Sequence, residues 1–197
     1  LEPWSLFVTT PLVTTDEAIV DVRLEIANRT EAKAEVAVRT ALYALEQAGR
    51  PGEKPVAESE PQKFAVGPGS PRQTSFSLRV PSPRLWDLEL PNRYVAVTTL
   101  EESGKVIDRL KTPFGIRSIA VDPELGFILN GRPVRLNGVC MHHDLGALGT
   151  AVNASAIARQ LRILRAIGGN AIRTPHNPPA PELLEFCDPY GIPVSVG

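Results

Sequence analysis

Cysteine is scarce in this chain of 197 residues, which contains only Cys140 and Cys187. Two cysteines without a framework spacing do not make the disulfide scaffold of a small secreted domain. Cys140 lies in a short apolar run and Cys187 in a predicted helix, so both are predicted to be core thiols rather than disulfide partners. Neither precedes an activating partner, which argues against a cysteine nucleophile.

Long apolar runs and an excess of one charge are also missing. No run reaches the length of a membrane span, and the first residues lack a signal-peptide pattern. Because the chain starts with Leu1 rather than Met, we expect it to be an excised piece, and its compartment stays undetermined. The 21 basic and 22 acidic residues give a net charge of -1, with the arginines scattered. Neither a nucleic acid nor a membrane is therefore a predicted partner.

The first 117 residues are predicted to be all-β. Between residues 20 and 26 apolar and charged side chains alternate, as in a half-buried strand. Further strands are predicted at 34–45 (with a bulge near Thr40), 64–66, 74–80, 94–100 and 105–111, with a polar loop over 47–61. About seven short strands in this length are typical of an immunoglobulin-like sandwich. Trp86, among prolines at the predicted edge of the sandwich, is expected to pack rather than to stack on a sugar.

The pattern changes near 113–117, which places a domain boundary there: a sandwich over 1–117 and a second domain over 118–197. Asn130-Gly131 between two apolar runs predicts a hairpin, since both residues tolerate positive φ. Gly138–Met141 is predicted to be a buried strand. After it, Asn153 or Ser155 can cap a helix with apolar positions at Ile157, Leu161, Leu164 and Ile167, and with Arg159, Arg162 and Arg165 on a wetter face.

Gly168-Gly169 ends that helix, and a strand (170–173), a second helix from Pro181 to before Gly191 and a third strand (192–196) follow. This β-loop-α-β-loop-α-β order predicts parallel strands with right-handed crossovers. Polar clusters follow the first two strands, at the end where ligands bind in barrels and open sheets. The residues predicted to converge on this rim are His142, His143, Asp144, Arg173, His176 and Asn177.

Other roles for these side chains stay open. His142, His143 and Asp144 could be structural, or could hold a metal with His176. Adjacent histidines on an extended chain point to opposite sides, however, and the helical His-x-x-x-His pattern is missing. Arg173 could instead form a structural salt bridge.

Seven segments occur in an order that resembles glycoside hydrolase family 2, which includes β-galactosidases, β-glucuronidases and β-mannosidases. They are Leu85-Trp86 before Pro91–Tyr94, Phe114–Arg117, Gly126–Gly131, Gly138–His142, Gly169–Arg173, Pro175–Pro178 and Cys187–Val194. The resemblance implies an immunoglobulin-like sandwich followed by the incomplete βαβαβ opening of a TIM (β/α)8 barrel. In the family a jelly-roll sugar-binding domain precedes these two.

The resemblance also implies roles for the rim. His142 and His176 would contact glycone hydroxyls, Arg173 would sit beside the nucleophilic carboxylate, and Asn177 belongs to the same motif. His143 and Asp144 stand where the family varies. Catalysis would be a retaining double displacement by two glutamates from later barrel strands, so the 197 residues alone should be inactive. β-Galactosidase is the commonest assignment in the family.

The resemblance implies no cofactor, and a divalent or alkali cation in the full-length enzyme stays open. The alternative class is a non-enzymatic immunoglobulin-like module that binds carbohydrate or protein. The strands of an incomplete barrel leave unpaired edges and an uncovered apolar face. We therefore expect the tail to pack against the sandwich, to pair with a second copy in a homo-oligomer, or to be partly mobile.

Overall fold

The computed structural model describes residues 1, 5–46, 49–142 and 144–197. They fall into two compact units. The first unit contains residues 1–84 and 93–118, and the second contains residues 85–92 and 119–197. No helix of the described ranges is long and apolar enough to cross a membrane.

The first unit is the predicted immunoglobulin-like sandwich. Its strands are β1 (Leu6–Val13), β2 (Glu17–Ile26), β3 (Ala34–Ala44), β4 (Ala57–Glu58), β5 (Gln62–Val66), β6 (Arg72–Pro81), β7 (Tyr94–Glu102) and β8 (Lys105–Phe114). One sheet has the order β1-β2-β6, and the other has the order β4-β3-β7-β8 with β5 also paired to β3. All pairings between these strands are antiparallel.

Strand alternation builds the core of this unit. In β2, Val20, Val22 and Leu24 are completely buried, whereas the charged residues between them are at least partly exposed. In the other sheet Thr40 and Thr98 are completely buried, and their hydroxyl oxygens lie 2.7 Å apart. Each hydroxyl therefore has a partner, which removes the cost of burying it.

Three details differ from the sequence-based expectations. The bulge predicted near Thr40 is wrong, because β3 pairs with β7 in continuous register from Val36 to Ala44. The predicted loop over 47–61 contains β4, although Gln47 and Ala48 lie outside the described residues. Strand β1 was not predicted, since its apolar residues do not alternate regularly and several of them are exposed.

The second unit begins with a small antiparallel sheet. Its strands are β9 (Ile119–Asp122), β10 (Gly126–Leu129) and β11 (Arg132–Pro133), with β10 in the centre. The turn between β10 and β11 contains Asn130 at φ 51° and Gly131 at φ 74°. These are the left-handed conformations that an Asn-Gly hairpin requires. The predicted hairpin is confirmed.

The rest of this unit is the predicted opening of a barrel, which is not closed. It consists of β12 (Gly138–Cys140), α1 (Ala154–Ala166), β13 (Ala171–Thr174), α2 (Pro181–Tyr190) and β14 (Val194–Val196). The three strands are parallel, in the order β12-β13-β14. Both helices pack on the sheet through one apolar cluster: Ile157, Leu161, Leu164, Ile172, Leu183, Cys187 and Ile192.

Local signals set the limits of both helices. Oδ1 of Asn153 accepts a hydrogen bond of 3.0 Å from the main-chain N–H of Ala156, so Asn153 caps α1. Pro181 opens α2, and Gly191 ends it in the left-handed conformation, at φ 65°. Ile167, predicted to continue the apolar stripe, is 71% exposed because α1 ends one residue before it.

The two cysteines have different environments. Cys187 is buried in α2, as predicted, whereas Cys140 is exposed, as are Gly138 and Val139. The predictions of a buried β12 and of a core thiol at Cys140 are therefore wrong. The physical reason is that, among the described strands, β12 pairs only with β13 and has one free edge.

Residues 85–92, which we call the strap, fold with the second unit. Trp86 and Leu88 are buried against Leu129 of the hairpin. The Asn130 side-chain amide donates a hydrogen bond of 3.0 Å to the Trp86 carbonyl, and Arg165 Nη2 donates one of 3.1 Å to the Leu88 carbonyl. The prediction that Trp86 packs is confirmed. Arg165, however, contacts the strap and is not a purely solvated residue.

Candidate functional site at the strand ends

The parallel sheet places the carboxyl ends of three strands at one edge. Cys140 of β12 pairs with Arg173 of β13, and Arg173 pairs with Ser195 of β14. Because all three strands run in the same direction, their carboxyl ends lie on the same side of the sheet. The residues that follow β12 and β13 therefore share one rim.

Two histidines meet at this rim. His142 follows the end of β12 by two residues, and His176 follows the end of β13 by two residues. Their ring centroids are 6.2 Å apart, with 39° between the ring planes. Both side chains are exposed. The structure thus brings the two predicted histidines together, while their role in binding stays a prediction.

Main-chain hydrogen bonds hold the two loops. The N–H of Met141 donates to the Arg173 carbonyl at 2.8 Å, and the N–H of His176 donates to the Gly197 carbonyl at 2.6 Å. His176 has φ 73°, a left-handed conformation that costs a residue with a side chain about 1–2 kcal/mol. Strained backbone of this kind is enriched at ligand sites. The sequence carries no signal for this conformation.

Arg173 is the exposed cation of the rim. In β13 it lies between the buried residues Ile172 and Thr174, so its side chain lies on the opposite face of the sheet from theirs. A Cβ placed on Gly197 would lie 3.5 Å from Arg173 Nη2, so the guanidinium reaches the end of β14. Among the described residues its side chain makes no hydrogen bond or ion pair. It is therefore available to an anion.

The remaining predicted site residues are Asn177, Asp144 and His143. Asn177 directly follows His176 and is exposed. Asp144 is also exposed, and its main-chain N–H donates a hydrogen bond of 2.8 Å to the His142 carbonyl. His143 lies outside the described residues. Within the described ranges, no group of three His, Cys, Asp or Glu side chains is close enough to hold a metal ion.

A cavity of about 110 Å³ opens beside His142. Asp144 lines it together with apolar residues from the β12–α1 loop, α1 and α2, among them Leu145, Ile157 and Leu183. Gln160 also lines it, and Gln160 Oε1 is buried without a hydrogen-bond partner in the described part of the chain. Sequence reasoning missed Gln160, because its position in α1 gives no hint of a cavity.

The chemistry of the rim suits a ligand rich in hydroxyl groups. A neutral imidazole offers one donor and one acceptor, and a guanidinium offers five donors in a planar fork. Paired carboxylates, which glycoside hydrolysis requires, are missing from these loops. Residues 141–153 contain one acidic side chain, Asp144, and residues 175–180 contain none. The described rim therefore offers hydrogen-bond donors and acceptors, with Asp144 as the one acidic side chain of these two loops.

Sequence comparison identifies the family. Residues 4–117 match the profile of glycosyl hydrolases family 2, and residues 119–195 match the profile of the TIM barrel domain of the same family. The chain belongs to glycosyl hydrolase family 2. Together the two matches cover both units and almost the whole chain.

Known family 2 proteins resemble the chain over nearly its full length. A protein named beta-galactosidase from Bacteroides ovatus is 40% identical over 188 residues, which are 95% of this chain and 21% of that protein. A putative beta-glucuronidase from Formosa agariphila is 34% identical over 191 residues, which are 97% of this chain and 17% of that protein. The crystal structure of a family 2 member from Bacteroides cellulosilyticus superimposes with a TM-score of 0.88 at 36% identity, covering 98% of this chain and 26% of that one. The chain thus spans about a fifth of the length of the curated relatives it matches.

Proposed function

We propose that these residues belong to a retaining β-glycosidase that hydrolyses terminal β-linked sugars. In this proposal 1–117 is the sandwich domain and 118–197 is the beginning of the catalytic barrel. The observation that carries it is the pair His142 and His176, which face each other across the carboxyl ends of β12 and β13 in a family 2 chain.

The proposal assigns separate tasks to the rim residues. His142, His176 and Asn177 bind hydroxyl groups of the glycone, and His176 does so from a left-handed backbone position, at φ 73°. Arg173 holds a carboxylate through a charge-assisted hydrogen bond, which keeps that carboxylate ionised. Asp144 adds a polar side chain on the β12 side, and His143, which lies outside the described residues, is included on its sequence position alone.

The two catalytic carboxylates come from other parts of the longer protein. A retaining mechanism needs two carboxyl groups about 5–5.5 Å apart, one as nucleophile and one as acid and then base. Asp144 is the one acidic residue in the loops after β12 and β13. We therefore expect the 197-residue chain to be inactive by itself.

β-Galactosides are the first substrate class to test, because the relative from Bacteroides ovatus is named a beta-galactosidase. β-Glucuronidase is the second candidate, favoured by the exposed guanidinium of Arg173. A uronide carries a carboxylate, and a guanidinium can donate two parallel hydrogen bonds to a carboxylate. In that case Arg173 would contact the substrate as well as, or instead of, a protein carboxylate.

The test is hydrolysis of nitrophenyl β-galactoside, β-glucuronide and β-mannoside by the full-length protein. Activity on one of them is expected. His142→Ala and His176→Ala should each lower kcat/KM by roughly a hundredfold, equivalent to about 2.7 kcal/mol of transition-state binding. Arg159→Ala, at an exposed position of α1, is the matched control and should leave the rate unchanged. Absence of hydrolysis on all three substrates would refute the assignment, and an unchanged rate in His176→Ala would remove that histidine from the site.

A further inference from the structure

A groove of about 300 Å³ lies on the outward face of the sheet that contains β3, β7 and β8. Strand alternation creates this face, because Thr40, Leu42 and Ala96 point into the core and the residues between them point out. The groove is lined by Arg39, Ala41, Tyr43, Pro51, Glu58, Val97, Thr99, Arg109 and Lys111, all within the first unit. Its volume is at the lower end of the range of small-molecule pockets, about 300–1,000 Å³.

The lining of the groove is divided about equally between polar and apolar surface, and Ala41, Tyr43, Pro51 and Val97 supply the apolar part. Ala41 pairs with Val97 across β3 and β7, and Val97 is the more exposed of the two. Tyr43 and Pro51 add an aromatic ring and a pyrrolidine ring to the wall. A pyranose has a flat C–H face that packs against such a surface while its hydroxyl groups point to the polar rim.

The rim carries unbalanced positive charge. Arg39 is already engaged, since Nη1 lies 3.2 Å from Glu58 Oε1 and Nε lies 3.6 Å from Glu101 Oε1. Arg109 and Lys111 are exposed, and their side chains make no hydrogen bond or ion pair with the described residues. Glu58 is the one acidic residue among those that line the groove. In a chain with net charge -1, this is a local site for an anion.

We infer that this groove binds a carboxylated saccharide, such as a chain of uronic acids. The apolar part of the lining takes the sugar ring, and Arg109 and Lys111 take the carboxylates through charge-assisted hydrogen bonds. A peptide that adds a strand to a sheet needs a free strand edge, whereas this groove lies on a sheet face. A simple inorganic anion would make no use of the apolar part of the lining. The inference does not depend on the proposed hydrolase activity.

The chain itself can be tested by calorimetric titration with tri-galacturonic acid, and with maltotriose as an uncharged trisaccharide. The galacturonate is expected to bind in low salt and more weakly in high salt, and maltotriose is expected to bind far more weakly. The double variant Arg109→Gln, Lys111→Gln should lower the affinity at least about tenfold, equivalent to about 1.4 kcal/mol, because it removes both cations that would donate charge-assisted hydrogen bonds to the carboxylates. Circular dichroism should show an unchanged fold.

Lys63→Gln is the matched control, since Lys63 is an exposed cation on β5 outside the groove. It should leave the affinity nearly unchanged. An equal loss in this control would mean a diffuse electrostatic attraction and would overturn the site. Citrate binding as tightly as the galacturonate would overturn the saccharide assignment, and maltotriose binding as tightly would overturn the role of charge.

Discussion

The indole N–H of Trp86 donates a hydrogen bond of 2.8 Å to the main-chain carbonyl of Asp188, 102 residues further along the chain. Asp188 lies in the last turn of α2, where main-chain carbonyls lack partners within the helix. The strap therefore supplies a hydrogen-bond donor to a main-chain carbonyl at the end of α2. Trp86 contributes both apolar packing and this hydrogen bond.

These two contributions of Trp86 can be separated by mutation. Trp86→Phe keeps most of the packing but loses the donor, and we expect it to lower the free energy of unfolding by about 1–2 kcal/mol. Trp86→Ala also leaves a cavity and should cost about 3–5 kcal/mol. Urea titration followed by circular dichroism measures both. Phe7→Ala, at a ring that is 58% exposed, is the control and should cost much less than Trp86→Ala. Equal effects of the two alanine variants would contradict the packing role.

Gly191 is expected to be irreplaceable for two reasons. It ends α2 at φ 65°, and a Cβ at this position would lie 2.2 Å from the Leu88 carbonyl oxygen of the strap. Gly168, after α1, has φ 83° and open space around it. Gly168→Ala should therefore cost only the left-handed backbone penalty of about 1–2 kcal/mol. Gly191→Ala should cost clearly more in the same urea titration. Equal losses would show that the strap moves aside freely.

The cap of α1 provides a third prediction. Asn153→Ala removes the hydrogen bond to the Ala156 N–H and should lower the free energy of unfolding by about 1 kcal/mol. Asn153→Asp keeps an oxygen in the same place and should restore most of the loss. The result can be checked by hydrogen exchange at the Ala156 amide, which should become faster in the alanine variant alone. Ser155→Ala, one residue inside the helix, serves as the control and should leave that amide unchanged.

The two thiols should differ in reactivity. Cys140 is exposed and Cys187 is buried, so a disulfide reagent should label one thiol quickly in the folded chain and the second only after unfolding. Cys140→Ser should abolish the fast phase. Rapid labelling of two thiols in the folded protein would contradict the burial of Cys187.

The buried thiol also predicts a dependence of stability on pH. Burial, and secondarily the charge of Asp188, raises the pKa of Cys187 to about 12. In the unfolded chain the thiol ionises near its ordinary value of about 8.5. As pH rises between these values, the unfolded state binds fewer protons than the folded state, so stability is lost. Cys187→Ala should show a shallower decline over this range, and an identical slope in urea titrations of both proteins would contradict the linkage.

Local signals in the sequence determined much of what could be predicted. Asn130-Gly131, Asn153, Pro181 and Gly191 act within a few residues of themselves, so the turn and helix limits that they set could be recognised without knowledge of the fold. The parallel order of β12 and β13 followed from the intervening helix, and with it the shared rim of His142 and His176. Longer-range features were inaccessible. The contacts of Trp86 and Arg165 join residues far apart in the chain, and the exposure of Cys140 depends on which strands adjoin β12.

The strap has a consequence for attempts to recombine family 2 proteins. A crossover near Ser118 would attach a foreign sandwich and, with it, a foreign copy of residues 85–92. That foreign segment would have to match the Gly191 turn and the Arg165 side chain of the recipient helices. Chimeras that exchange residues 85–92 together with residues 119–197 should therefore yield soluble protein more often than chimeras joined only near Ser118.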